Sequence, residues 1–160
     1  MSDILVAYFS ATGTTEKVAK KLANSIGGDL FEIVPEIPYT KEDLVWTDDT
    51  SRSSMEMTDI TCRPAIESYL NYMEHYDKVF IGFPIWWYRE PAIIDTFLEQ
   101  YDFTGKTIIP FATSKGSGMG DCSKNIQELC PGATVVEGKR FGGITFVGAL
   151  VNWANQWIKK

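Results

Sequence analysis

The chain has 160 residues, of which 44% are hydrophobic and 22% are charged, and this length and composition fit a single compact domain over residues 1–160. Its formal net charge of -6 and sequence pI of about 4.8 argue against nucleic-acid binding, because nucleic-acid binders carry basic patches. No apolar run reaches the roughly 18 residues of a membrane span, so none is predicted.

The first strand and the first helix have the clearest patterns. Residues 4–9 form a continuous apolar run, which predicts a strand buried on both faces. The residues before this run are acidic rather than basic, so no secretory signal is predicted and a cytoplasmic location is expected. Val18, Leu22 and Ile26 then recur at helical spacing and predict the first helix, which Gly27 and Gly28 would end.

A second strand and a long irregular segment follow. The strand is predicted over residues 30–34, and its charged Glu32 favours an outer position in the sheet. Residues 35–61 are rich in Pro, Asp, Thr and Ser, and a loop of this length is usually functional or disordered. The aromatic residues Tyr39 and Trp46 argue against pure disorder. A second helix is predicted from near Pro64, and its apolar face would contain Ile66, Tyr69, Leu70 and Met73.

Three more strands alternate with three helices in the second half of the chain. The strands are predicted over residues 79–83, 107–112 and 134–136, and the helices from near Pro91, over residues 121–130 and from near Thr145. Pro110 lies inside the second of these strands although proline cannot donate to a ladder, so we expect a bulge or a strand margin there. The alternation of strands and helices predicts βαβ units and a parallel sheet.

The cysteine and histidine content offers little material for a metal site. The chain has three cysteines, Cys62, Cys122 and Cys130, with no Cys-x-x-Cys pair, and one histidine, His75. A disulfide framework, a zinc site and Ser-His-Asp chemistry are therefore not expected.

The loop after the first strand combines four hydroxyl side chains with a glycine at a helix start. These residues are Ser10, Thr12, Gly13, Thr14 and Thr15. Free N–H groups and the dipole of a helix start favour an anion, so the loop predicts a phosphate held by neutral donors. The alternative is an ordinary helix N-cap, for which one hydroxyl would suffice. The loop lacks the Walker and Gly-x-Gly-x-x-Gly patterns, so neither a nucleoside triphosphate nor a nicotinamide dinucleotide is expected.

Two further loops follow the third and fourth strands. Residues 84–91 contain three consecutive aromatic residues, Trp86, Trp87 and Tyr88, whose flat faces suit a planar ligand; packing into the core or a dimer contact is the alternative. Residues 113–121 contain three glycines, which let a backbone approach a flat group, although alone they favour a flexible turn. Because ligands of open parallel sheets bind beyond the carboxyl ends of the strands, the three loops together predict flavin mononucleotide (FMN).

These segments resemble the cofactor loops of the flavodoxin family, and the resemblance covers essentially the whole chain. It is strongest to a bacterial subgroup with a Gly-x-Pro-Ile-Trp-Trp segment, here residues 82–87, and it includes the Thr-Ser-Lys-Gly-Ser-Gly segment at residues 113–118. The resemblance implies a flavodoxin-like α/β fold, a doubly wound five-stranded parallel sheet of order 2-1-3-4-5 with helices on both faces, and tight noncovalent FMN. The implied cofactor-binding residues are Ser10, Thr12, Gly13, Thr14 and Thr15 at the phosphate, Pro84, Ile85, Trp86 and Trp87 at the ring, and Thr113, Ser114, Gly116 and Gly118 on its other side.

The chain departs from many flavodoxins in the loop after the third strand. Those proteins have a glycine there whose peptide turns over when the flavin takes a proton, and residues 84–91 contain none. Non-glycine residues are disfavoured at positive φ, so the resemblance does not extend to strong stabilisation of a one-electron-reduced flavin. Residues 35–61 are also longer than in small flavodoxins and could cover the ring through Trp46 or Arg52.

The resemblance implies a redox function in which FMN carries the chemistry and no side chain is catalytic. One hypothesis is a low-potential electron carrier that meets basic-faced redox partners through small interfaces; solubility is the other explanation of the negative charge. The alternative hypothesis is an NAD(P)H-dependent quinone or flavin reductase, because hydride chemistry needs no stable radical. A receiver domain or a cysteine-based phosphatase is disfavoured, because Phe83, Pro84 and Ser10 occupy the positions where their reactive groups would lie.

Overall fold

The computed structural model describes residues 2–114, 116–142 and 144–158. Its strands pair in parallel in the order β2-β1-β3-β4-β5, with β6 also on β4, so the predicted order 2-1-3-4-5 is confirmed. The strands are β1 (Ile4–Tyr8), β2 (Asp29–Glu32), β3 (Lys78–Pro84), β4 (Thr107–Thr113), β5 (Thr134–Val135) and β6 (Lys139–Phe141). The helices are α1 (Thr14–Ile26), α2 (Arg52–Thr58), α3 (Ala92–Gln100), α4 (Cys122–Leu129) and α5 (Val147–Ile158). No helix of the described residues is both long and apolar enough to cross a bilayer.

Helices cover both faces of the sheet, and alternate residues of each strand face opposite layers. On one face Val6 and Tyr8 of β1 pack with α1 and α5, where Trp153 is the largest buried side chain. On the other face Leu5 and Ala7 pack with α3, α4 and the chain between residues 66 and 76. Strands buried on both faces explain why the sequence of β1 is continuously apolar.

Pro110 lies within β4 and is accommodated by a break in the neighbouring strand. The carbonyl of Ile108 accepts a hydrogen bond from the N–H of Val136 in the neighbouring chain segment. The backbone of Pro110, two residues further along β4, faces the same segment but has no N–H to donate. The partner strand divides there into β5 and β6, and Gly138 crosses the gap with φ of 82° against the Pro110 carbonyl oxygen. β4 itself pairs with β3 without interruption through Pro110, so the irregularity that we expected at Pro110 lies in the neighbouring strand instead; the pairing of β6 with the end of β4 was not predicted from the sequence.

The second helix predicted from near Pro64 is wrong. Residues 65–68 run extended beside the end of β2, where Glu36 donates to the carbonyl of Ala65 and Glu67 donates to the carbonyl of Val34. Leu70 and Met73 are buried without forming one helical face, because Leu70 lies in an irregular stretch and Met73 begins a short 3-10 helix (Met73–His75). The helix of this connection is the shorter α2, within the segment predicted to be irregular.

The break at Gly138 makes a specific prediction about stability. Gly138→Ala is expected to lower the free energy of unfolding by about 2 to 4 kcal/mol, because a β-carbon there would overlap the Pro110 carbonyl in addition to the cost of a left-handed alanine. Gly105→Ala is the matched control, since its φ of 81° is the same but its β-carbon would meet nothing within 4 Å. It should lose only about 1 to 2 kcal/mol. Equal losses in urea unfolding would contradict this account.

Candidate functional site

The register of three parallel strands brings three loops to one edge of the sheet. At the carboxyl ends of the strands, Tyr8 of β1 pairs with Gly82 of β3, and Pro84 of β3 pairs with Thr113 of β4. The following segments therefore begin beside one another, as the sequence predicts. They are the first loop (residues 10–15), the aromatic loop (residues 84–91) and the glycine loop (residues 113–121), whose Lys115 lies outside the described residues.

The first loop leaves the amino end of α1 open. Gly13 precedes the helix in the left-handed region, with φ of 93°, and its N–H donates to Ser10 Oγ at 3.0 Å. No side chain caps the helix, so the N–H groups of its first turn lack a side-chain partner. Thr12 and Thr14 are exposed beside these groups. The loop thus has the donors that an anion needs and departs from the N-cap alternative, in which a hydroxyl would close the helix.

Thr15 joins the first loop to the end of β4. Its Oγ1 lies 2.7 Å from Oγ1 of Thr113, and both residues are buried. One of these hydroxyls donates to the other, and the O–H of the accepting hydroxyl, like the backbone N–H of Thr15, can still donate to a ligand. Both residues belong to the predicted cofactor-binding set, and their side chains also hold two of the loops together.

The aromatic loop reverses direction in a two-residue turn. Trp86 and Arg89 exchange backbone hydrogen bonds of 3.1 and 3.2 Å across it. Trp87 and Tyr88 both have positive φ, 51° and 64°, which is the arrangement of a type I′ turn. Left-handed geometry is thus present in this loop although it contains no glycine. The surrounding contacts hold two aromatic residues in a conformation that costs about 1 to 2 kcal/mol each.

The three aromatic side chains of this loop take two different positions. Trp86 is half-buried, and its ring packs edge-on against Phe9 at 5.7 Å and Tyr39 at 5.4 Å between centroids. Trp87 and Tyr88 remain 42% and 71% exposed. Core packing thus explains Trp86 only, and the other two rings are free to contact a ligand.

The glycine loop packs against the turn of the aromatic loop. The N–H of Asp121 donates to the carbonyl of Tyr88 at 3.3 Å, and a β-carbon at Gly120 would overlap that carbonyl. Gly120 therefore lets the glycine loop approach the aromatic loop closely, whereas the sequence predicted that the glycines would approach a flat ligand. At Gly116 and Gly118 a β-carbon would meet nothing within 4 Å, so open space lies beside both.

Ser114 holds the start of the glycine loop in place. Its N–H donates to the carbonyl of Phe141 at 3.3 Å, and its hydroxyl donates to the carbonyl of Ser117. Arg140 of β6 donates to the Ser114 carbonyl at 3.0 Å. The unpredicted strand β6 therefore supports this loop from behind.

A cleft of about 540 Å³ lies between the aromatic loop, the first loop and the segment that precedes and includes α2. Its volume lies within the usual range of small-molecule sites. The predicted residues that line it are Thr12, Pro84, Ile85, Trp86 and Trp87. The other lining residues include Leu44, Trp46, Ser53, Tyr88 and Ser117. A separate cavity of about 440 Å³ lies at the amino end of β4, and none of the three loops lines it.

The segment over residues 35–61 forms one side of this cleft, as suggested by its length. Trp46 lines the cleft and is 72% exposed. Arg52 does not line it; its guanidinium carbon lies 3.8 Å from the centre of the Tyr39 ring, and its Nε donates to Glu56 at 3.0 Å. Leu44 and Ser53 were missed because neither belongs to a recognisable motif.

A buried charged cluster lies directly behind the aromatic turn. Arg89 Nη2 donates to Glu90 Oε2 at 3.2 Å and to Asp95 Oδ2 on α3, and Asn125 Nδ2 of α4 donates to Glu90 Oε1 at 3.4 Å. Glu90 is completely buried. Burial, and then the neighbouring carboxylate of Asp95, raise the pKa of Glu90 to about 8. The sequence signal of this cluster is the Arg89-Glu90 pair, which lies between three aromatic residues and an apolar helix.

Together these features fit a ligand with an anionic end and a planar ring system. The open start of α1 supplies neutral donors for a phosphate. The rings of Trp86, Trp87 and Tyr88, which we call the aromatic wall, supply apolar faces for a ring system. No charged side chain is among the described residues that line the cleft. The arrangement therefore suits FMN, whose one phosphate lies at the end of its ribityl chain.

Comparison with known proteins gives the same picture. The flavodoxin family model matches residues 3–157. The chain is 30% identical over 134 residues to the flavodoxin of Haemophilus influenzae, an alignment that covers 81% of this chain and 57% of that protein. It is 28% identical over 81 residues to an FMN-dependent NADH:quinone oxidoreductase of Bacillus cereus, covering 49% of this chain and 38% of that protein. The chain thus spans about half the length of these relatives, or less.

Solved structures resemble the chain more completely. A protein of Bacteroides eggerthii assigned as a flavoprotein has a TM-score of 0.91 and 46% identity, with 98% of both chains covered. A flavoprotein of Lactobacillus acidophilus in complex with FMN has a TM-score of 0.69 and 26% identity, with 86% of this chain and 91% of that chain covered.

The left-handed turn makes a prediction that compares two variants of one position. Tyr88→Asn is expected to be more stable than Tyr88→Val by about 1 kcal/mol, because asparagine tolerates positive φ whereas a β-branched residue does not. Chemical denaturation of both variants measures the difference. The side chain at this position is largely exposed, so loss of packing contributes little. If the valine variant were as stable as the asparagine variant, the turn would not be left-handed.

Proposed function

We propose that this chain, which belongs to the flavodoxin family, binds FMN in the cleft and acts as a low-potential electron carrier between cytoplasmic redox partners. The observation that supports this most directly is the arrangement of the three loops. An uncapped helix start and an aromatic wall lie at the same edge of a parallel sheet. FMN is the cofactor that the family implies, and when bound it supplies the capacity to accept and donate electrons.

The residues around the cleft would hold the two ends of FMN in different ways. The first loop would bind the phosphate through backbone N–H groups and the exposed hydroxyls of Thr12 and Thr14. Trp87 and Tyr88 would contact the ring from the aromatic loop, and Trp46 would contact it from the opposite side of the cleft. The open space beside Gly116 and Gly118 would admit the edge of the ring.

The charges around the cleft favour a low reduction potential. The described residues lining the cleft include no lysine or arginine that would stabilise the added negative charge of a reduced flavin. Four acidic residues flank Trp46 and Leu44 without a basic residue among them, and they are Glu42, Asp43, Asp48 and Asp49. Negative charge near the ring lowers its affinity for electrons, since the reduced form carries more charge.

The same acidic segment supports the choice of partner. Carriers meet their partners through small, transient interfaces in which opposite charges guide the encounter. Asp43 lies 3.9 Å from Arg52, and the other three carboxylates near the exposed Trp46 in sequence suit a redox protein with a basic face around its own cofactor. Association with such a partner should weaken as ionic strength rises.

A reductase on the same fold is the second candidate, and one specific observation favours it. Part of the chain resembles FMN-dependent NADH:quinone oxidoreductases of Bacillus species. The half-exposed Trp87 and the largely exposed Tyr88 present flat surfaces on which a quinone could stack. This candidate requires hydride transfer from NADH or NADPH to the flavin without another protein.

The phosphate assignment predicts the effect of a double substitution. Thr12→Ala with Thr14→Ala is expected to weaken FMN binding on the order of a hundredfold, because two hydrogen bonds to a charged phosphate are lost. Thr104→Ala with Thr134→Ala is the matched control, since these threonines are also exposed but lie at the amino ends of β4 and β5. Fluorescence titration of the apoprotein with FMN measures both. Unchanged affinity in the first variant would show that the loop does not bind the phosphate.

The choice between carrier and reductase depends on the electron donor. For a carrier, NADPH or NADH alone should reduce the FMN-loaded protein more slowly than a basic-faced flavoprotein reductase does, and the reduced protein should pass electrons to a second protein. Absorbance of the flavin near its visible maximum follows both reactions under anaerobic conditions. Rapid bleaching by NADPH or NADH alone followed by reoxidation with a quinone would decide for the reductase. A single two-electron titration step without reduction of any protein partner would also contradict the carrier.

A further inference from the structure

The turn of the aromatic loop needs an anchor, because its own geometry is unfavourable. Trp87 and Tyr88 both lie at positive φ, and such residues persist only where their surroundings hold them. The backbone hydrogen bonds between Trp86 and Arg89 close the turn but do not attach it to the rest of the protein. The packing of Trp86 and the backbone contact of Asp121 with Tyr88 attach it in part, and the side chains of Arg89 and Glu90, the two residues that follow the turn, add a buried attachment.

The anchor joins the turn to two helices. Arg89 Nη2 reaches both Glu90 Oε2, at 3.2 Å, and Asp95 Oδ2 in the first turns of α3. Glu90 Oε1 accepts from Asn125 of α4 at 3.4 Å. The side chains of Glu90 and Asp95 are at most 3% exposed, so water does not compensate their charges. Arg89 Nε and Asp95 Oδ1 are buried without a hydrogen-bond partner among the described residues.

The charges of this cluster do not balance unless one carboxyl keeps its proton. Asp95 also faces Arg63, 3.9 Å away, but Arg63 pairs more closely with Glu99 at 2.7 Å. Two guanidinium groups therefore face three carboxyl groups. From α4, Asp121 lies near the cluster and Cys122 is buried beside Glu90; burial and then Glu90 raise the pKa of its thiol, which stays neutral. Two ionised carboxylates on one buried guanidinium nitrogen would repel each other strongly.

We propose that Glu90, held as the neutral acid between Arg89 and Asp95, is a positioning residue that fixes the Trp87–Tyr88 turn for flavin binding and releases it when the proton is lost. The proposal rests on FMN as the ligand of the cleft. Ionisation of Glu90 would place a second negative charge beside Asp95 in a dry site, and the cluster would separate or admit water. The turn would then lose the attachment that runs through Arg89, and the remaining backbone contact of Asp121 with Tyr88 would hold it less firmly.

The direction of the pH effect follows from the raised pKa of Glu90. A proton that the folded protein holds up to about pH 8, and the unfolded chain only up to about pH 4.5, stabilises the fold at low pH. That contribution is complete below the unfolded value and disappears as the pH rises through about 8. FMN affinity should fall over the upper part of the same range, since the turn is released there.

The test compares the wild-type protein with Glu90→Gln, because glutamine has the shape of the neutral acid and cannot ionise. Wild-type apoprotein should lose stability in urea as the pH rises from 5 to 9, and its Kd for FMN should rise roughly tenfold between pH 6 and 9. Glu90→Gln should bind FMN like the wild type at pH 6 and keep that Kd at pH 9. The FMN phosphate titrates equally in the assays of the two proteins. The measured quantity is therefore the ratio of the wild-type Kd to the Glu90→Gln Kd at each pH, from which the effect of the phosphate cancels. Riboflavin, which lacks the phosphate, is a second probe.

Two further variants separate a specific role from general damage. Asp95→Asn removes the competing carboxylate, so Glu90 can ionise against Arg89 alone and the pH dependence between 7 and 9 should disappear. Glu128→Gln changes an exposed carboxylate on α4 that is not part of the cluster, and it should keep the wild-type profile. A wild-type Kd that is independent of pH, or a Glu90→Gln profile that matches the wild type, would overturn the proposal. If neither protein bound FMN at any pH, the proposed function would fail, while the urea profiles would still show whether Glu90 holds the proton.

Discussion

The position of β4 is the constraint on which the rest of the site depends. This strand pairs with β3 along its whole length, and its last residue, Thr113, accepts a backbone hydrogen bond from Ile85 of the aromatic loop. The Thr113 hydroxyl binds Thr15 of α1 in a buried contact of 2.7 Å. One strand end therefore sets the position of all three loops. A small shift of β4 would move the first loop and the aromatic wall relative to each other.

Pro110 explains how this strand can be held on both sides and still end in a loop. Without an N–H it cannot continue the ladder toward β5, and the break at Gly138 lets the outer strand begin again as β6. The restarted strand pairs with the last three residues of β4 and places Arg140 against the carbonyl of Ser114. The hydrogen bond that is missing at Pro110 is thus accompanied by the contact between Arg140 and Ser114, which holds the glycine loop in place.

The sequence predicted the parts of the fold that depend on periodicity and composition. Continuous apolar strands and the hydroxyl-rich loop have local signals, so the position of β1, the place of the first loop at the start of α1 and the strand order implied by the resemblance are confirmed. The α-helix predicted from near Pro64 is wrong because Leu70 and Met73 have helical spacing but are buried by separate tertiary contacts, Met73 from a short 3-10 helix. The left-handed turn at Trp87 and Tyr88 was not predicted, for a related reason: local preference opposes it, and contacts distant in sequence impose it. Glu90 and Asp95 are near in sequence, yet only the fold shows that they share one guanidinium group.

The strained turn and the acidic segment lie on opposite sides of the cleft, and they place different demands on a bound flavin. The turn has a conformational cost in the absence of a ligand. In return it fixes the rings of Trp87 and Tyr88 before a flavin binds, and such preorganisation lowers the entropy lost on binding. The segment with Trp46 and Leu44 is largely exposed and charged, so it suits contact with a partner more than the tight enclosure of a substrate. A rigid wall behind the ring and a charged rim beside its accessible edge together meet the requirements of electron transfer to another protein.

A reductase has the additional requirement of binding a nicotinamide and a quinone against the same edge, and the cleft of about 540 Å³ is then shared by the flavin and the second ligand. The proposed carrier places no second ligand in the cleft, because its partner meets the flavin at the exposed edge.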